Sequence, residues 1–385
     1  MIASACGSSA KKSNANNGQV TTQTTAGLKG APPADGPPVS GGTITMALPA
    51  ESSGGWCLSE AQLAASGIQV ARSIYDTLTV PDANGNYVPD LADKITSNAT
   101  FTSWTIHLRA GITFHAGTPL NAKVVKDNLD AYRGSFPGRK PLLFIFVFKN
   151  IKAVTAVDAM TVRVDTIKPW SSFPASLYSY GRLGITAEKQ LNDGANCFKD
   201  MIGTGPFMFK GDWVNNDHLT VEKNPHYWRK DKDGNQLPYL DKIIFKPTPE
   251  VSTLENGLTA SPPQFDIAFT DSTDVIDNLQ KGPLKSNQLG LLSSGIHPEV
   301  AYTMFNDAKP PFDNINARKA FAYAVNRDSY NKLANQSLLQ LATGPFGPGT
   351  IGYVANTDLP SYDVTKAKSF AAQYTAETKQ PLAFT

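Results

Sequence analysis

Hydrophobic and polar positions alternate with a period of two from Trp104 to Arg109: Trp104, Ile106 and Leu108 stand against Thr105, His107 and Arg109. A strand points successive side chains to opposite faces, so the pattern predicts a half-buried strand. Ala110-Gly111 turns the chain, and Ile112 and Phe114 resume the alternation. His115-Ala116-Gly117 then breaks it, and Pro119 cannot supply a ladder hydrogen bond. Beyond this point the spacing becomes helical. Val125, Leu129 and Tyr132 share one face of a helix predicted over 122–132, with Asn121 as its N-cap.

Elsewhere a first strand is expected over 42–48, ended by Pro49. The loop after it carries Glu51 and Trp56, the latter expected to be exposed, and in open α/β sheets that strand end faces the ligand crevice. Helical spacing runs from Ala61 to Leu78 through Leu63, Ile68, Ala71, Ile74 and Tyr75, and Asn84-Gly85 signals a hairpin turn. Two strands flank Asp158 between Lys149 and Thr166, and an aromatic segment lies over 177–183. Further strands are expected near Trp213 and over 219–222, 242–246, 265–270 and 301–306. A helix over 311–326 carries Phe321, Ala324 and Val325, and a strand begins at Pro381.

Composition narrows the class. With 385 residues the chain exceeds one ordinary core, so two or three domains are expected. Thirty-five basic against 33 acidic residues leave a net charge of +2, which gives no reason to expect nucleic acid. No apolar run reaches the roughly 18 residues of a membrane span. Residues 1–40 have almost no large apolar side chains and read as a disordered tether, stiffened by Pro32, Pro33, Pro37 and Pro38. Ala3-Ser4-Ala5-Cys6-Gly7 resembles the end of a bacterial lipoprotein signal, with Cys6 the lipidated residue. Ala3 stands where such signals usually carry Leu, and the alternative is an expression remnant.

An exported chain sits in an oxidising compartment, so the remaining pair, Cys57 and Cys197, is a disulfide candidate. Closing so long a loop contributes on the order of 4–5 kcal/mol in the chain-entropy view. Two buried free thiols are the alternative.

Tests for catalytic chemistry come back empty. His107, His115, His218, His226 and His297 lack zinc-site spacing, and His115 reads as a structural hydrogen-bonder in a turn. Asp82-Asn84-Asn86 and Asp231-Asp233-Asn235 mimic calcium loops but are turns. Gly203-Thr204-Gly205-Pro206-Phe207 is a tight turn before a strand, not a phosphate loop: no Gly-Lys-Ser/Thr follows, and Pro206 removes a donor. No nucleophile elbow or paired-cysteine motif appears. A binding role, without metal or cofactor, is the expectation.

Three stretches together resemble one family. The first runs from Leu91-Ala92 through Tyr132, with HLRAGITFHAGTPLNAKVV at 107–125; the second is GTGPF at 203–207 with NPHYW at 224–228 and LPYLDKIIF at 237–245; the third is AYTMFNDAKPPFDNINARKAFAYAVNRDSY at 301–330. They are similar to the extracellular solute-binding proteins of family 5, the peptide-type receptors of ABC importers. Lys123 stands where that family usually has Asp.

The resemblance implies an α/β, periplasmic-binding-protein-like type II (class C) fold of two lobes and an extra small domain. Residues 41–80 and 188–300 form the first lobe, 81–187 the extra domain and 301–385 an incomplete second lobe, the chain being expected to be C-terminally truncated. It implies capture of extracellular peptides by hinge closure and delivery to a permease with its ATPase, by a monomeric, non-enzymatic receptor at the cell envelope. Alternatives are a receptor for oligosaccharides or metal chelates, or an envelope signalling or assembly lipoprotein. Ligand-binding residues are expected at Glu51, Trp56, Phe269, Thr270, Tyr302 and Asn306. Glu51 would pair with a peptide amino terminus, and Trp56 would either stack on ligand or pack beside Cys57.

Overall fold

The computed structural model describes residues 37–52, 54–82, 86–284, 286, 289–291, 300–348 and 352–384. The expectations for Cys6, for most of the tether, for the Asn84-Gly85 turn and for His297 lie outside them. The described chain divides into a larger unit ending at Thr270 and a smaller one beginning at Asp271.

The larger unit contains β1 (Thr43–Leu48), β2 (Thr79–Pro81), β3 (Tyr87–Pro89), β4 (Ala92–Ser97), β5 (Ser103–Leu108), β6 (Ile151–Ala156), β7 (Thr161–Thr166), β8 (Phe207–Val214), β9 (His218–Lys223), β10 (Lys242–Pro247) and β11 (Ile267–Ala268). Its five-stranded sheet has the order β11-β1-β10-β9-β8. β1 pairs in parallel with both β10 and β11, whereas β8, β9 and β10 form an antiparallel meander. Strands buried on both sides favour continuous apolar runs, and β1 accordingly ends in the fully covered Ala47-Leu48.

An antiparallel sheet, β4-β5-β7-β6, carries the stretch with the clearest alternation. Trp104 lies opposite Val164 and Ile106 opposite Val162, all four buried, while Thr105 and His107 face outward. Helix α2 (Ala122–Tyr132) has the expected bounds. Its Asn121 cap accepts from Val124 N at 3.0 Å, and it buries Val125, Leu129 and Tyr132. One continuous apolar cluster joins both sheets, from Leu48 and Trp56 through Ile106 and Tyr132 to Phe245.

Helix α1 (Ala65–Ile74) is shorter than the periodicity predicts. Gly205 N donates to Ile74 O at 2.9 Å, and Tyr75 goes extended. Gly203 sits so near that a Cβ there would meet Ile74 O at 2.1 Å, so only glycine allows the two segments to touch. Residues 112–120 form a small loop rather than a strand: Leu120 N bonds Ile112 O, Phe114 N bonds Thr118 O, and only Thr113 and Pro119 pair. The strand expected over 265–270 shrinks to β11.

The smaller unit is helical among its described residues, and the strands expected over 301–306 and from Pro381 are absent there. Ile315–Ala324 packs on Val364–Thr378, with Tyr323 stacked on Phe370 at 5.7 Å. Asn314 caps the first of these, which is why it begins inside the range expected from Pro311. Asn314 and Asn316 both donate to Glu377, each at 2.9 Å. Phe305, Phe312, Phe321 and Phe384 form an aromatic knot. No helix among the described residues is long and apolar enough to cross a membrane.

Candidate functional site

Four of the six residues expected to contact ligand gather at the carboxyl end of β1. Phe269 N donates to Ala47 O at 3.0 Å, which brings Phe269 and the half-exposed Thr270 beside the strand end. On its other side, the loop from Ala50 to Leu58 is held at both ends. Ala50 N donates to Ser66 Oγ at 3.2 Å, and Cys57 is joined to Cys197 by a disulfide with the two Cα atoms 5.0 Å apart. Arg139 Nη1 lies 3.1 Å from Cys57 Sγ, and the bridge is fully buried.

That bridge corrects the expectation for Trp56. Trp56 N donates to Phe198 O at 2.9 Å, one residue past Cys197, so the loop is drawn inward and the indole is only 1% exposed. Gly55 makes this possible with φ +70 and with Phe198 O only 2.7 Å from where its Cβ would stand. Trp56 packs edge-on against Trp213 at 6.0 Å. Of the two earlier readings, packing beside Cys57 describes its position.

Glu51 is also engaged within the unit. Its Oε2 accepts from Asn216 N at 2.9 Å and from Trp213 Nε1 at 3.4 Å, while Oε1 accepts from Ser52 N at 2.7 Å. The carboxylate therefore closes the β8–β9 turn, where Asn216 has φ 59. A cavity of about 10 Å³ lies between Leu48, Glu51, Ser52, Trp56, Gly67 and Phe245. Trp56 Nε1 and Ser52 Oγ are buried polar atoms with no hydrogen-bond partner among the described residues. A space of that size admits one water and no solute.

Tyr302 and Asn306 belong to the smaller unit. Tyr302 is 72% exposed, because residues 301–306 are not paired as the expected strand. Asn306 Oδ1 accepts from Ala308 N at 3.2 Å, opening a turn.

Residue-by-residue reading did not single out a second polar cluster in the larger unit. Asp76, at the end of the α1 segment, accepts from Thr204 Oγ1 at 2.9 Å, Trp228 Nε1 at 2.9 Å and Tyr227 OH at 3.2 Å. Asp90 is bonded by the Arg229 guanidinium, and Arg109 Nε donates to Asp90 O at 3.2 Å. Arg109 and Arg229 both lie over the Trp228 ring, at 5.2 and 4.8 Å. Burial raises the Asp76 carboxyl above the usual range. Burial, and then the Asp76 charge, push Asp90 up to about 7 against the pull of Arg229. The available signal was an aspartate inside an apolar run, Ser73-Ile74-Tyr75-Asp76-Thr77-Leu78, with two aromatic donors in the 224–228 motif to receive it.

His115 holds the neighbouring turn, as expected of a structural hydrogen-bonder. Its Nδ1 accepts from Gly203 N at 3.3 Å, so Nε2 carries the proton to Gly205 O at 3.0 Å. Burial lowers its pKa to about 4. Among the described residues no three His, Cys, Asp or Glu side chains group to hold a metal ion.

Residues 86–384 match the family model for bacterial extracellular solute-binding proteins, family 5 Middle. The chain is 32% identical over 301 residues to the glutathione-binding protein GsiB of Pectobacterium atrosepticum, covering 78% of this chain and 55% of that protein. It therefore spans little more than half the length of that relative. Among solved structures it is similar to PBP AgaA from A. tumefacien R10 in complex with agropinic acid. That match has a TM-score of 0.70 at 25% identity, over 86% of this chain and 64% of that one. It also resembles the ABC transporter-associated periplasmic binding protein DppA from Helicobacter pylori in complex with peptide STSA. Here the TM-score is 0.67 at 24% identity, over 87% and 66% of the two chains.

Proposed function

We propose, from the premise that this chain belongs to the bacterial extracellular solute-binding proteins of family 5, that it is the solute-capturing component of an ABC importer for peptides. The family match over 86–384 carries this reading, and the glutathione named in the 32%-identical relative supports a short peptide as the solute. On this reading residues 41–80 and 188–300 form one lobe, 81–187 an extra domain and 301–385 part of a second lobe. Closure of the lobes traps the ligand for a permease and its ATPase, and no chemistry is performed on it. We place the receptor at the cell envelope, as a monomer anchored by lipid on Cys6.

Glu51, Phe269 and Thr270 are the proposed wall of the site on the larger unit; on the smaller unit, Tyr302 and Asn306 are the proposed ligand contacts. Trp56 serves beneath this wall, packing on Trp213 and so holding the group that bonds Glu51. A second reading, a non-peptide solute, is favoured by the similarity to AgaA with its agropinic acid.

Ligand-dependent thermal stabilisation separates the two, because a solute that binds only the native state raises the unfolding midpoint by mass action. The panel is glutathione, di- to pentapeptides, cello- and chito-oligosaccharides, opine-type acids and nickel chelates. Peptides are expected to shift the midpoint. A shift with a sugar, an opine or a chelate and none with any peptide overturns the assignment.

A further inference from the structure

Residues 141–148, Pro-Leu-Leu-Phe-Ile-Phe-Val-Phe, carry no polar side chain, yet most of them face outward. Helix α3 (Ile145–Phe148) explains the arrangement. Phe144 and Phe148 lie one turn apart, joined by a 2.8 Å bond from Phe148 N to Phe144 O, and both rings are buried against Tyr132. Phe148 continues into Trp170 and Phe173 through ring contacts at 6.2 and 5.3 Å, which makes a rigid floor. With those two positions turned inward, Leu142, Leu143, Ile145, Phe146 and Val147 are turned out. Phe146 is 72% exposed, Leu142 50%, and the other three are each more than a third exposed. A contiguous exposed run of this kind is uncommon on a soluble surface and marks an interaction site.

The charges on this stretch of the sequence have one sign. No Asp or Glu occurs from Ala131 to Val157, whereas Lys140, Lys149 and Lys152 are exposed at the ends of the apolar run. Among the described residues none of these three ammonium groups is in an ion pair. Glu60 reaches the start of the segment, where the Arg139 guanidinium at 3.5 Å and Lys140 N at 2.9 Å engage it.

We propose that residues 142–147, rimmed by Lys140, Lys149 and Lys152, form a membrane-contact surface that seats on an anionic bilayer. Hydrocarbon asks for no hydrogen bonds, and these side chains offer none, whereas a protein interface carries about one per 100–200 Å². The cationic rim complements lipid phosphates, and each such lysine strengthens attachment while screening by salt weakens it. The run is far too short to span, so it rests in the interfacial layer. Lipid on Cys6 is not required.

The experiment is co-sedimentation of the unlipidated 385-residue chain with vesicles of phosphatidylcholine alone and of phosphatidylcholine mixed with phosphatidylglycerol. Binding to the mixed vesicles is expected, weakening with salt. It should fall about tenfold or more in Phe146→Asp and in the double variant Lys140→Glu, Lys149→Glu. Circular dichroism and the thermal midpoint should match the parent, since none of these side chains is in the core. Should Phe146→Asp not fold, Leu142→Ser with Val147→Ser takes its place. Failure to bind mixed vesicles overturns the proposal, as does binding that is insensitive to both classes of variant. Self-association that depends on Phe146, without vesicle binding, also overturns it and assigns the surface to a second copy of this chain.

Discussion

His115 and Gly205 are joined through a half-buried ring: Nε2 donates to the Gly205 carbonyl at 3.0 Å, ninety residues along the chain. The same imidazole accepts from Gly203 N, so one neutral side chain fastens the 112–120 loop to the turn that closes α1.

Because burial holds His115 near a pKa of about 4, the unfolded chain takes up its proton first as pH falls. The contribution is full above the unfolded value of 6.5 and is lost as pH drops from there toward about 4, to a total of roughly 3 kcal/mol at most. Asp90, pushed up to about 7, acts in the opposite sense, losing its contribution as pH rises through that value. The contribution of His115 is therefore read as a difference. The stability gap between the chain and His115→Asn should narrow from pH 7 to pH 4; a constant gap contradicts the half-buried neutral ring.

Reducing the Cys57–Cys197 bridge should lower stability by about 2–5 kcal/mol. It should also release the loop holding Trp56, seen as a red shift of tryptophan emission. Intact mass with and without reductant checks the bond itself, and two free thiols in the native protein would contradict it.

Glu51 has a stability role that is separable from any ligand role. Glu51→Gln keeps the shape but weakens the bonds from Asn216 N and Trp213 Nε1, at a cost of about 1–2 kcal/mol. If Glu51 also pairs with a peptide amino terminus, affinity for a peptide that stabilises the parent chain should drop about tenfold or more. An N-acetylated form of that peptide should show no such loss. Equal affinities for parent and variant leave Glu51 a fastener of the β8–β9 turn.

Asp76→Asn should destabilise the larger unit by about 2–4 kcal/mol, because the amide keeps only one of the two acceptor oxygens shared by Thr204, Trp228 and Tyr227 and turns an NH2 group toward a buried donor. Thr204→Val removes one donor and should cost less, about 1 kcal/mol. A denaturant series on both variants orders them, and the reverse order contradicts a shared acceptor.

Local features were legible in the sequence where one pattern governed the segment. The period-two run expected over 104–109 emerged as a strand displaced by one residue, and the Asn121-capped helix emerged with its expected bounds, since alternation and capping are short-range physics. Helix α1 was misjudged because its periodicity continues past Ile74, and what stops it is the Gly203–Gly205 turn far along the chain. Trp56 was left between two positions for the same kind of reason. A tryptophan in a Ser/Gly-rich loop looks exposed until Cys197 and Phe198 are known to sit beneath it. Asp76 and Asp90 escaped notice because their partners, Thr204, Tyr227, Trp228 and Arg229, lie on segments that only the fold brings together.

The parallel seat of β1 between β10 and β11 also constrains the order of events as the chain is made. Thr43 pairs with Lys242 and Met46 with Ile267, so the first strand leaves the ribosome long before either partner exists. Until then both of its edges present unpaired backbone groups, a template for association with other chains. Contacts of such long range are slow to form and leave intermediates open to aggregation. A chaperone that occupies β1 should accordingly be needed until Ala268 has emerged, and truncations ending before Lys242 should aggregate when those reaching past Ala268 do not.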